Sequence, residues 1–363
     1  MPKTSHHKHK SYFAVGKLFF YITGASFLLL LISYTISCND LFSIKYDSSK
    51  IVIKTAPPKP KLNKILYDRK LYEMANTGLP MATASASTTP ELWPVKTAYP
   101  KAGAILPFKR IIAFYGNFLS TGMGVLGQYP KEVVLEKLRE EMSKWQKVSS
   151  TTPVVPAIDY IAITAQESSG IDGKYRLRMS DSEIQKALSM AKEIDGIVFL
   201  DIQIGLSTLQ IELPLLEKYL KLPQVHLAID PEFSMKTGAR PGTVIGSFDA
   251  SDINYTTEYL AKLVRNNNLP PKLLVIHRFT KPMVTNYKNI QPLPEVQIIM
   301  DMDGWGTPGK KFGTYNAVIY PEPVQFTGFK LFYKNDLLPP STHILTPEEL
   351  LKLKPQPMYI QYQ

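Results

Sequence analysis

Residues 196–232 read GIVFLDIQIGLSTLQIELPLLEKYLKLPQVHLAIDPE. The run GIVFLDIQ (196–203) is short, apolar and β-branched, which suits a strand buried on both faces. Ser207–Leu220 follows with apolar residues at helical spacing. A second strand-like run, VHLAID (Val225–Asp230), comes next, and each run carries a carboxylate at or near its C-terminal end, Asp201 and Asp230. Strand, helix and strand in so short a space predict parallel pairing.

The same alternation extends in both directions. Toward the N-terminus lie the runs Arg110–Tyr115 (RIIAFY) and Val154–Ile161, separated by a helical pattern over Pro130–Lys147. A helix over Ser180–Glu193 leads into residue 196, with Ser180 and Glu183 spaced as a capping box. Toward the C-terminus lie Lys272–His277 (KLLVIH), Val296–Met302 (VQIIMDM), Phe326–Tyr333 (FTGFKLFY) and Met358–Tyr362 (MYIQY). Helical patterns cover Ser251–Arg265 and Thr346–Lys352, with weaker ones over Pro282–Asn289 and Lys310–Ile319. Eight strands in this alternation over residues 104–363 predict an α/β fold, a (β/α)8 TIM barrel. An open doubly wound sheet is the alternative. Gly122, Gly124 and Gly127 follow the first strand at GxGxxG spacing, but the helix after them is delayed, as in a plain loop.

The 363 residues carry a net charge of +11, unevenly placed. Residues 1–105 hold 14 Lys and Arg against 5 Asp and Glu, whereas residues 106–363 hold 28 against 26. A nucleic-acid binder concentrates charge on its folded domain, so no nucleic-acid partner is expected. A single cysteine excludes a disulfide framework and thiolate metal sites. Leu18–Ser37 (LFFYITGASFLLLLISYTIS) is an uncharged 20-residue run, long enough to span a bilayer, with Lys3, Lys8, Lys10 and Lys17 before it. Positive-inside bias then places the bulk of the chain outside the cell. Two tethers fit: a signal anchor, or a lipoprotein signal with lipidation at Cys38, since Ser37 is small while Thr35 departs from the preferred leucine. The expected organisation is a basic cytoplasmic N-terminus (1–17), anchor or signal (18–38), a Pro/Lys/Ser/Thr-rich tether (39–103) with room for a helical turn or two over Lys64–Met74, and the barrel (104–363).

In such barrels the chemistry sits at the C-terminal strand ends. Side chains two apart on a strand share a face, so the strand ends project a polar ring. It comprises Tyr115 and Asn117, Asp159, Asp201 and Gln203, Asp230 and Glu232, His277 with Arg278, Asp301 and Asp303 with Trp305, Lys330 and Tyr333, and Gln361. A carboxyl pair with aromatic platforms is the layout of a glycosidase. Glu232, between Pro231 and Phe233, is the candidate acid, and Asp301, Asp303 and Asp201 are candidate partners. Trp305, Tyr115 and Phe233 are candidate sugar-stacking residues, and the other ring members are candidate substrate contacts.

Nine stretches carry a wider resemblance: AFYGNFLSTGMGVLGQYP (113–130), GKYRLRM (173–179), FLDIQIGLSTLQ (199–210), HLAIDPEFSM (226–235), DINY (252–255), VIHRFTKPMVTNY (275–287), IIMDMDGWG (298–306), VQFTGFKLFYKND (324–336) and YIQYQ (359–363). Through them the domain resembles an uncharacterised family of bacterial extracytoplasmic lipoproteins with a glycoside-hydrolase-like barrel. The resemblance implies a fold and a location and no established reaction. Chitinase-type barrels carry DxxDxDxE on the fourth strand, where this chain has LAIDPEF (227–233). Large-clan retaining glycosidases keep a glutamate on the seventh, where it has FTGFKLFY (326–333). Two other functions stay open: a non-catalytic cell-wall binding lipoprotein, and a metal-dependent hydrolase using His277 with the ring carboxylates. HxH and HExxH spacings are absent, and neither metal nor cofactor is expected.

Overall fold

Eight buried runs become the staves of a closed parallel barrel: β1 (Arg110–Gly116), β2 (Val154–Ala165), β3 (Ile197–Ile202), β4 (Val225–Ile229), β5 (Lys272–Arg278), β6 (Val296–Met302), β7 (Phe326–Leu331) and β8 (Tyr359–Tyr362). Each pairs in parallel with the next, and β8 returns to β1 through Ile111 opposite Tyr359 and Phe114 opposite Tyr362. The computed structural model describes residues 61–76 and 91–363. Among these no helix is long and apolar enough to cross a membrane. Leu18–Ser37 and Cys38 lie outside the described residues.

The pleat divides each stave. On β1, Ile112 and Phe114 face outward and pack with Val134, Leu138 and Trp145 in one apolar cluster. Ile111 and Ala113 face inward, into a second cluster that includes Val155, Phe199, Val275 and Ile299. The outer cluster is roofed by helices α2 (Lys131–Val148), α3 (Asp181–Lys192), α4 (Leu209–Leu220) and α5 (Ala250–Asn266). α5 starts on a reciprocal capping box between Asp249 and Asp252.

Elsewhere the helical expectations shorten. Pro282–Asn289 resolves into two 3-10 turns, Lys281–Met283 and Tyr287–Asn289. The stretch from Lys310 is a short α-helix, Pro308–Thr314, running into a π-turn over Tyr315–Ile319. The last helix spans only Pro347–Leu350, capped by Thr346 and Glu349. A strand absent from the sequence reading, Arg176–Arg178, pairs antiparallel with the extended end of β2. Buried Glu212 on α4 holds it in place, accepting from Arg176 at 2.9 Å and from Arg178 at 2.7 Å.

The N-terminal mouth of the barrel is plugged. Lys64–Ala75 forms a 12-residue helix, α1, capped by the Asn63 side chain and ended by Asn76 in the left-handed region (φ 55°). Tyr67, Leu71 and Met74 follow one face and join the inner cluster. A free helix of this length is marginal in water. Burying three large apolar side chains, each contributing roughly 1.5–3 kcal/mol, is enough to dock it. This part of the stretch expected to be a tether is therefore built into the folded unit, which begins well before residue 104.

Candidate active site

Above the apolar inner cluster the inward positions turn polar, in two tiers. The lower tier holds Asp159, Asp201, His277, Asp301 and Gln361, all fully buried. His277 is its centre. Its Nε2 lies 2.9 Å from Asp201 and its Nδ1 lies 3.2 Å from Asp301 and 3.4 Å from Asp303. Burial lowers the His277 pKa, but Asp201, Asp301 and Asp303 outweigh it and hold the ring well above its ordinary value. Across the barrel, Asp159 accepts from Gln361 at 2.8 Å and from the Tyr359 hydroxyl. Burial and the charge of Asp201 push Asp159 up to about 7. Burial also raises Asp301, against the pull of His277. Gly328 makes this tier possible, since a Cβ there would sit 2.5 Å from Asp301 Oδ1.

The upper tier lines a cavity of about 620 Å³ at the C-terminal mouth. Tyr115, Gln203, Asp230, Glu232, Asp303 and Lys330 form its polar walls, and Phe233, Phe279, Trp305 and Phe332 its apolar ones. That volume falls within the range of small-molecule sites. Asp230 caps the turn Pro231–Phe233 by accepting from the Glu232 amide at 3.0 Å, which sets the Glu232 backbone at the rim. Burial raises Asp230 well above the carboxylate range, with Asp201, Glu232 and Asp303 adding to the rise. Burial and the Asp303 charge push Glu232 up to about 7. Asp303 sits between two cations, Lys330 at 3.1 Å and His277 at 3.4 Å. Lys330 also lies 3.9 Å from the centre of the Tyr115 ring. Burial alone would lower Lys330, but Asp303, Asp301 and Asp230 raise it.

The structure sorts the sequence candidates by height and by parity. Glu232, Asp303, Asp230, Tyr115, Gln203, Trp305 and Lys330 reach the cavity. Asp201 and Asp301 lie below it, against His277, and Asp159 and Gln361 share that lower tier. Asn117 is buried and braces the loop after β1, donating to the Ile161 carbonyl at 3.0 Å and accepting from the Leu119 amide at 2.9 Å. Arg278 and Tyr333 are absent from the cavity lining. Arg278 pairs with Glu322, while Tyr333 stacks on Tyr362 and bonds Glu141 at 3.0 Å. Sequence reading missed Phe279 and Phe332, which stand two residues beyond His277 and Lys330 and continue the same alternation. Lys310, over the Trp305 ring at 4.7 Å, comes from a helix after a loop and had no such signal.

Among the described residues, Asp159, Asp201 and His277 come nearest to a metal-binding group, with one ligand atom each within 4.8 Å of the others. Both imidazole nitrogens of His277, however, face carboxylate oxygens at hydrogen-bond distance. When protonated, that ring has no lone pair for a metal; when neutral, one nitrogen keeps one. The arrangement is that of a buried histidine ringed by carboxylates, with an acid of raised pKa and a lysine-paired carboxylate on the open cavity above it.

No family model matches the chain, nor does any curated protein. Among solved structures, a ruminal GH26 endo-beta-1,4-mannanase is similar at 12% sequence identity, with a TM-score of 0.36. The match covers 76% of this chain and 66% of the mannanase chain, just under two thirds of its length.

Proposed function

We propose that the barrel mouth binds carbohydrate and hydrolyses a glycosidic bond, with Glu232 as general acid and Asp303 as its carboxylate partner. One observation carries this reading: the two groups face one cavity in opposite electrostatic settings. Glu232, pushed up to about 7, keeps a proton to give to a leaving oxygen near neutral pH. Asp303 has Lys330 and His277 beside it to hold negative charge, as a nucleophile or water-activating base needs. Trp305, half exposed at the rim, and Phe233 offer the flat apolar faces on which sugar rings stack. Asp201 and Asp301 act one step back, through His277. The uncharged run at Leu18–Ser37 and its basic flank support a tether on the extracytoplasmic face of a membrane, by anchor or by lipid on Cys38.

The test is release of reducing ends from a panel of structural and cell-wall polysaccharides by the full chain, beside Glu232→Gln and Asp303→Asn. Each substitution is expected to cut turnover by about 10²–10⁴-fold. Glycan binding that requires Trp305, without turnover and without loss in Glu232→Gln, would replace the enzyme by a binding module. Radiolabelled lipid on wild-type but not on Cys38→Ala supports lipidation, and its absence from wild-type supports the plain anchor.

A further inference from the structure

A second cavity, of about 410 Å³, lies at the opposite end of the barrel, between α1 and the starts of β1, β2 and β8. Arg110, Lys70, Glu73, Gln356 and the hydroxyl-rich loop Ser149–Thr152 line it. Arg110 is almost completely buried, yet no carboxylate among the described residues lies within ion-pair distance of it. Its guanidinium donates from Nε to the Pro357 carbonyl at 3.1 Å and from Nη2 to Gln356 at a long 3.4 Å. Nη1 has no partner. The Trp145 ring, 5.0 Å away, offers one stacking face. Burial lowers Arg110 to about 10, with no acid opposing it.

Burying an unpaired charge costs several kcal/mol, so natural arginines in such places have an anion. The acid at hand, Glu73, is bound to Lys70 at 2.7 Å and is about half exposed. Residues 77–90, which continue from α1, contain no Asp or Glu. Among the described residues, and across 77–90, no acid balances this positive charge. We propose that this cavity binds a phosphate-class oxyanion, seated on the Arg110 guanidinium with the Lys70 ammonium as its second contact. A planar fork of N–H donors matches two phosphate oxygens, and serine and threonine hydroxyls along the wall suit the rest. The anion would join α1 to the barrel, since Lys70 belongs to the helix and Arg110 to β1.

The experiment uses the full chain in detergent and inorganic phosphate, titrated at constant ionic strength against chloride. Trp145 beside the guanidinium supplies a fluorescence signal, and the thermal midpoint a second one. A saturable phosphate response is expected. Lys70→Gln should weaken it about tenfold, the loss of one charge-assisted hydrogen bond. Glu73→Gln should strengthen it, and Arg110→Gln should abolish it. Should Arg110→Gln fail to fold, the opposite signs of the two α1 variants still decide. No saturable response in wild-type, or equal affinity in all variants, overturns the proposal. A glycerol phosphodiester in a parallel arm separates the sources: binding as tight as free phosphate points to a polymer phosphate, and failure to bind points to the free ion.

Discussion

Replacing Glu232 by glutamine tests the electrostatics of the upper tier without touching its shape. Glutamine mimics the protonated acid at every pH. In the folded protein Glu232 sits near 7 against an ordinary 4.5. The folded state therefore binds a proton that the unfolded state releases between those values. Stability contributed by this group is intact below about 4.5 and is lost as pH rises through about 7. A shift of that size corresponds to roughly 3 kcal/mol. Glu232→Gln should thus leave stability unchanged near pH 4 and raise it by up to about 3 kcal/mol at pH 8.5. For a domain of this size that is a rise of on the order of 5 °C or more in the unfolding midpoint. The same substitution should lower glycan turnover by about 10²–10⁴-fold, the exchange of stability for function expected at an active site. Calorimetric melts of both proteins at the two pH values check the stability arm. An equal change at both values, or a loss at pH 8.5, would refute the raised acid.

Hydrolysis should fall with pH above about 7 as Glu232 loses its proton, and a flat kcat/KM profile between pH 6 and 9 would contradict its role as the acid. His277→Gln should cost about 3–5 kcal/mol in urea unfolding, because it leaves Asp201 and Asp301 buried without their cation; a cost below about 1 kcal/mol would show that the lower tier is not charged as described. Gly328→Ala should destabilise by about 1–3 kcal/mol through the clash with Asp301, read by the same unfolding curves. Leu71→Ala should cost about 2–4 kcal/mol. A chain begun at residue 104 should melt lower than one begun before α1, and identical melting would show that the helix adds nothing.

The barrel was legible because its staves are short, apolar and regularly spaced, and parity along each strand picked out the inward carboxylates. Parity says which way a side chain points and nothing about its height. Asp201 and Asp303 share an inward direction, yet one lies beneath the cavity and the other lines it, since height follows from how neighbouring strands are staggered. Where parity was set aside the reading failed: Arg278 is one residue past His277, Tyr333 three past Lys330, and both leave the cavity. The stripe Tyr67, Leu71 and Met74 has helical spacing, enough to read a helical turn or two over Lys64–Met74, but nothing in its proline- and threonine-rich flanks says that it docks on the barrel. Arg110 read as the first letter of a strand. Its lack of a counter-charge emerges only when α1 and the loops have been brought around it.

The ring closes between strands about 250 residues apart in sequence. That separation has a kinetic meaning. The edges of β1 and β8 find each other only after every intervening residue exists, which at roughly 5–20 residues per second takes tens of seconds of synthesis. Bringing such distant ends together also carries a loop-closure entropy that no local helix can offset in advance. Through that interval β1 keeps one edge open, and an open edge recruits other strands. The final pairing of Ile111 with Tyr359 and Phe114 with Tyr362 thus acts as a lock set late, and folding should be slow and concentration-sensitive even where the finished barrel is stable.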